Sequence, residues 1–188
     1  MVYENPKKGR RLPLPKKAGG PIGTRKGKKG YDRRVPLEEA GETVEDFAYV
    51  RPQYELLEHT ADLGVRVRGE SLGDLFENAG LMLFDLLVDL APVRPRSKWK
   101  VSVAAQDPET LFVQWLRELL NAFYVKKRIF CRLEIAKINE KSLAASCWGE
   151  VFNRKRHTVL TEIKAATYHD LSVKREDSGW VAEVIFDV

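Results

Sequence analysis

The stretch Ile129-Phe130-Cys131-Arg132-Leu133-Glu134-Ile135-Ala136-Lys137-Ile138-Asn139-Glu140-Lys141-Ser142-Leu143-Ala144-Ala145-Ser146-Cys147-Trp148-Gly149-Glu150-Val151 decides the fold class. Ile129, Cys131, Leu133 and Ile135 recur at every second position, the period of a strand with one buried face. Asn139-Glu140-Lys141-Ser142 has the composition of a tight hairpin turn. Leu143, Ala145, Cys147, Gly149 and Val151 then return along a second strand. Beyond a basic loop, Asn153-Arg154-Lys155-Arg156-His157, the segments Ile163 to Lys174 and Trp180 to Val188 read as two final strands joined at Asp177-Ser178-Gly179. A long uninterrupted run of strands is incompatible with a strictly alternating parallel α/β order.

Upstream the period changes. Tyr54 to Leu57 reads as a short strand, and Val65 and Val67 alternate with Arg66 and Arg68 in a second. Ser71 and Asp74 have capping-box spacing at the start of a helix whose apolar positions run from Leu72 through Leu75, Phe76, Ala79, Met82, Leu83, Leu86 and Leu87 to Leu90. Pro92 and Pro95 are expected to end it. Trp99, Val101 and Val103 alternate with Lys100 and Ser102 as another strand. Asp107 as N-cap and Pro108 at the first helical position open a second helix through Trp115 and Phe123. The expected fold is α+β: one compact domain of two helices packed on mixed or antiparallel β-sheet, with about seven strands.

Of 188 residues, 44% are apolar and 10% aromatic, enough for a packed core in one domain. The net charge of +5 is an average of two unlike parts. Residues 1–34 hold twelve Lys and Arg against Glu4 and Asp32, a net of +10, and the remaining 154 residues carry a net of −5. Residues 1–52 are therefore read as a disordered basic Pro/Gly-rich leader and linker, and residues 53–188 as the folded domain. The leader has no apolar segment of the secretory kind, and no run is long enough to cross a bilayer. Cys131 and Cys147 sit in apolar strand patterns and read as reduced, buried thiols. These features point to a cytoplasmic protein with no membrane partner.

Common catalytic signatures are missing: there is no Cys-x-x-Cys, no HExxH, no EF-hand loop, no nucleophile elbow and no phosphate-binding glycine loop. Two acidic features remain. In the turn Glu58-His59-Thr60-Ala61-Asp62-Leu63-Gly64, Asp62 either caps the turn through backbone N–H groups or offers oxygen ligands. At the end of the chain, Val184-Ile185-Phe186-Asp187-Val188 continues a strand to the last residue. That puts the Asp187 carboxylate beside the α-carboxylate of Val188, an arrangement that calls for a cation. Oxygen donors of this type favour hard ions over zinc.

The segment from Glu58 to Val65 resembles the N-terminal signature of the archease family. Further landmarks of that family follow in order: the Trp115 to Leu120 helix, Gly149-Glu150, the His157 loop, Ile163 to His169, and Val184 to Val188. The resemblance spans residues 53–188 and leaves the leader out. It implies a compact α+β, non-enzymatic activator of an RtcB-type RNA ligase, a GTP-dependent enzyme of tRNA splicing and RNA repair. The activator promotes ligase guanylylation and multiple turnover. It also implies a divalent ion, in the family calcium, with Mg²⁺ and Mn²⁺ as alternatives, held by Asp62, Asp187 and Val188. No catalytic residue is implied. His59 either supports the metal or caps the turn. Lys164 and Tyr168 either contact the ligase or form a solvated strand face, and His169 is expected in the core. RNA is an indirect partner, with the basic leader as a contact. Two rival readings remain: a metal-dependent phosphohydrolase, and an RNA-binding module that works through the leader.

Overall fold

Ser71 and Asp107 start the two helices as their spacing requires. The computed structural model describes residues 47–57 and 62–188. In it α1 spans Leu72–Leu87 and α2 spans Pro108–Tyr124. Ser71 Oγ accepts the Asp74 N–H at 3.1 Å, and Asp74 Oδ2 accepts the Ser71 N–H at 3.0 Å. The Asp107 carboxylate accepts the Thr110 N–H at 2.7 Å. Each cap satisfies backbone donors that the first helical turn leaves open, a contribution of about 1 kcal/mol.

Eight strands surround the helices among the described residues: β1 (Tyr54–Leu57), β2 (Leu63–Gly69), β3 (Ser97–Ala104), β4 (Arg128–Asn139), β5 (Ser142–Val151), β6 (Ala165–Ala166), β7 (Ser172–Glu176) and β8 (Gly179–Asp187). They form two sheets, a number the sequence left open. The first has the order β1-β2-β8-β6, with β7 also on β8, and the second is β3-β5-β4. Every pairing is antiparallel, so the mixed alternative falls away. Both helices contact strands of both sheets. A helix held between two sheets must be apolar on more than one side. That accounts for the broad buried face of α2, where Leu111, Phe112, Val113, Trp115, Leu116, Leu119, Leu120, Ala122 and Phe123 are all buried. Trp115 is fully buried, and its indole N–H donates to Phe76 O at 2.9 Å.

Four local readings change. First, α1 stops at Leu87 rather than at the prolines. Val88 is extended and bridges Val159, Asp89 N–H donates to Thr158 O, and Leu160 N–H donates to Leu87 O. Leu90 is still buried, in extended chain beyond the helix. Second, β4 carries register shifts between Phe130 and Arg132 and between Ile135 and Lys137. A bulge adds one residue and reverses the alternation, so Phe130 rather than Ile129 or Cys131 falls in line with Leu133. Third, Ile163 to Lys174 is not one strand. Asp170 has φ 47°, and the turn it makes separates β6 from β7, which lie one after the other along β8. Fourth, that turn carries His169 into solvent, where its side chain is 75% exposed, so it is not a core histidine.

Residues 47–52, assigned from sequence to the linker, lie against the helical layer. Phe47 and Tyr49 pack against the core. Asp85 of α1 accepts from Tyr49 OH at 3.1 Å, Tyr54 OH at 2.7 Å and Arg51 Nε at 2.8 Å. Burial, with Asp85 alongside, raises the pKa of both tyrosines above the usual phenol range. Residues 1–46 fall outside the described part, and so does their reading as a leader. Among the described residues no helix is long and apolar enough to cross a membrane.

Candidate functional site

The last strand lies in the interior of its sheet, and this positions the acidic end. On one side β8 pairs with β2 in the register Leu63↔Phe186 and Gly64↔Ile185. The ladder ends at the first of these pairs: Asp62 directly precedes Leu63, in a bend, and Asp187 directly follows Phe186. On the other side β6 pairs Ala165 with Asp187 and Ala166 with Phe186. Phe186 and Val184 are buried and anchor the strand, while Asp62, Asp187 and Val188 are exposed.

Lys164 closes this group. Its N–H donates to Asp187 O at 2.8 Å. Its ammonium donates to Val188 O at 2.6 Å and lies 3.7 Å from Asp187 Oδ1. Thr167 holds the same corner with two hydrogen bonds to Ile185 O, each 3.0 Å, from its N–H and its hydroxyl. Lys164, Asp187 and Val188 thus converge, and Asp62 precedes the start of the neighbouring β2. Tyr168 does not join them: it sits in the turn after β6, 48% exposed, with the Arg117 guanidinium 5.0 Å from its ring. Arg117 also donates to Ala166 O at 3.3 Å, so the pair braces the back of β6. His59 lies outside the described residues.

The donors gathered at this end are carboxylate and main-chain oxygens, the set that hard cations take. Among the described residues no three His, Cys, Asp or Glu side chains form a metal-ligand cluster. The thiols supply no nucleophile. Burial pushes the Cys131 thiol up to about 12 and raises Cys147 as well, so neither is a thiolate near neutral pH.

A second polar cluster was legible in the sequence only as the landmarks Gly149-Glu150 and His157. Glu150 is 5% exposed and His157 is 4% exposed. Arg156 grips the Glu150 carboxylate with bonds of 2.9 and 3.1 Å, and Arg94 N–H adds a third at 3.1 Å. Burial alone would push the Glu150 carboxyl up, but Arg156 and the Arg94 N–H hold it below the usual carboxylate range. His157 Nδ1 accepts the Asn153 N–H at 3.0 Å, so the ring proton of the neutral form is on Nε2, 3.4 Å from Glu150 Oε1. The Asp85 hub also went unread. Its signal was available: a lone acid inside the apolar run Leu83-Phe84-Asp85-Leu86-Leu87.

The chain matches the model of the Archease protein family (MTH1598/TM1083) over residues 54–188. It is 36% identical over 140 residues to a protein archease of Methanosarcina mazei, covering 72% of this chain and 96% of that one. It is 37% identical over 138 residues to a protein archease of Saccharolobus solfataricus, covering 72% of this chain and 99% of that one. The solution structure of Methanobacterium thermoautotrophicum protein 1598 superposes with a TM-score of 0.59 at 28% identity, over 72% of this chain and 98% of that one. The β2–β8–β6 arrangement that ends in this acidic corner is therefore the fold of a known group, and the chain belongs to the archease family.

Proposed function

We propose that the protein is a non-enzymatic activator of an RtcB-type RNA ligase, and that it works through a hard divalent cation, Ca²⁺ first, at the acidic end. Asp62, Asp187 and the main-chain oxygen of Val188 supply the oxygens. The observation that supports the reading is the β2–β8 register, which pairs Leu63 with Phe186 and so sets the start of β2, just after Asp62, alongside the end of β8, just before Asp187 and Val188. Family membership supports it independently. Carboxylates brought to one corner repel one another, and the ammonium of Lys164, beside Asp187, offsets only part of such charge. A divalent ion answers the remainder. At the ligase, such an end is suited to delivering a metal or organising phosphate oxygens, with Lys164 as a further phosphate contact.

The test mixes the full chain with an RtcB-type ligase and follows guanylylation and multiple turnover, alongside calorimetric titration with Ca²⁺. Asp62→Asn and Asp187→Asn are expected to weaken Ca²⁺ binding at least tenfold and to lower stimulation in parallel. Full stimulation by the double variant would remove the metal from the mechanism. No effect of the unmodified chain on the ligase would remove the partner. Phosphate release by the chain alone, lost in Asp62→Asn, would replace the proposal with a hydrolase.

A further inference from the structure

The net charge of −5 over residues 35–188 conceals a basic face on the second sheet. The run Arg94-Pro95-Arg96-Ser97-Lys98-Trp99-Lys100 is basic at every second position. In β3 that period puts Trp99 on the core side and Lys98 and Lys100 on the outward side. The register extends the pattern across the sheet: Lys98↔Trp148↔Arg132, Lys100↔Ser146↔Glu134 and Ser102↔Ala144↔Lys137 share the outward face. Cations of β3 thus form one row and cations of β4 the other. Between them the central strand bears small side chains, Ser142, Ala144 and Ser146, that leave a trough. At the hairpin end lies a mainly apolar cavity of about 460 Å³, lined by Val103, Ile138, Leu143 and Ala144 together with Ser102 and Lys137.

The cations are held in place before any ligand arrives. Lys98 Nζ lies 4.5 Å from the Trp148 ring centre and the Arg132 guanidinium 5.1 Å from it, so the ring is 2% exposed beneath them. Stacked on a fixed ring, both side chains lose less freedom on meeting an anion. At the other end Arg96 and Arg156 are drawn to the buried Glu150, yet their side chains remain 58% and 43% exposed. One acid opposes the pattern: Glu134 is exposed and stands across from Lys100.

From this arrangement we infer that the outward face of the β3-β5-β4 sheet binds the sugar–phosphate backbone of single-stranded nucleic acid. The rows are two strand spacings apart, about 10 Å, and cations along β3 repeat every ~7 Å. One extended phosphate chain fits between the rows, whereas a duplex is too wide. Trp148 is covered and cannot stack on a base, so the face reads phosphates and not sequence. This goes beyond the ligase reading and does not depend on the acidic end, which lies on the other sheet.

Fluorescence anisotropy of labelled, unstructured RNA and DNA 12-mers with the full chain tests it over a salt series. Wild type and variants carry the same basic N-terminal segment, so that segment's contribution cancels. Replacing Lys98, Lys100 and Lys137 by glutamine keeps a polar side chain at each position and removes three cations. The slope of log K against log salt should then lose about two units, at about 0.7 per phosphate contact. Glu134→Gln should tighten binding. A control triple, Lys126→Gln, Lys174→Gln and Arg175→Gln, removes the same charge elsewhere and should leave the slope intact. Thermal melts confirm that each variant is folded. An unchanged slope in the face triple, or equal losses in both triples, overturns the inference. So does polyglutamate competing as well as unlabelled oligonucleotide of equal charge, which would make the face a dock for acidic protein.

Discussion

Removing the Glu150 carboxylate tests whether the buried ion cluster holds the 150–157 corner together. In Glu150→Ala the Arg94 N–H loses its acceptor at 3.1 Å, and Arg156 loses both of its bonds, 2.9 and 3.1 Å. A part-buried backbone donor left without a partner costs about 1–3 kcal/mol. Arg156 is 43% exposed and can turn to water, so its share is nearer 1 kcal/mol than the 3–5 kcal/mol of a fully buried broken pair. The sum is about 3 kcal/mol, a drop of roughly 10 °C in Tm for a folded part of this size. Urea melts of wild type, Glu150→Ala, Arg156→Ala and the double variant give the coupling energy directly. About 1–2 kcal/mol is expected.

The same cluster fixes a pH dependence. The folded-state carboxyl of Glu150 titrates below its unfolded value. Its stabilisation is therefore complete above the ordinary carboxylate range and is lost as pH falls through the folded value. The gap between wild type and Glu150→Ala should be full near neutrality and close in acid. A loss under about 0.5 kcal/mol, or a gap that does not narrow in acid, would refute the reasoning.

Two further outcomes follow from the packing. A Cβ at Gly149 would lie 1.7 Å from Ile129 O and 2.9 Å from Phe130 Cα, both backbone atoms of β4, so Gly149→Ala should cost at least ~2 kcal/mol in denaturant melts. Gly73→Ala, whose Cβ would meet nothing closer than 3.6 Å, is the matched control and should not destabilise. The raised thiols of Cys131 and Cys147 should react with a thiol reagent at mildly alkaline pH only as fast as the protein opens, and promptly once it is denatured. Fast labelling of the native protein would show that the β4–β5 interior is open.

Local chemistry determined a good deal without the fold. Ser71 with Asp74, and Asp107 with Pro108, fixed both helix starts because a cap acts within one turn of chain. The hairpin at Asn139 to Ser142 was equally local, since Asn139 Oδ1 accepts the Lys141 and Ser142 N–H groups, each at 2.9 Å. Resemblance of short strings, more than any spacing, pointed to Asp62, Asp187 and Val188. Tertiary structure decided the rest. Alternation cannot show an inserted residue, so the β4 bulges and the face they move were hidden. Nor does the sequence say which strands become neighbours. Only the order β2-β8-β6 sets residues 63 and 166 on either side of residue 186, since over a hundred positions separate the first from the others and the pairing energy is distributed over the whole ladder. The two-sheet division, the exposure of His169 and the row of cations beside Trp148 share that cause: each depends on which backbone lies alongside, a property that one segment read alone does not contain.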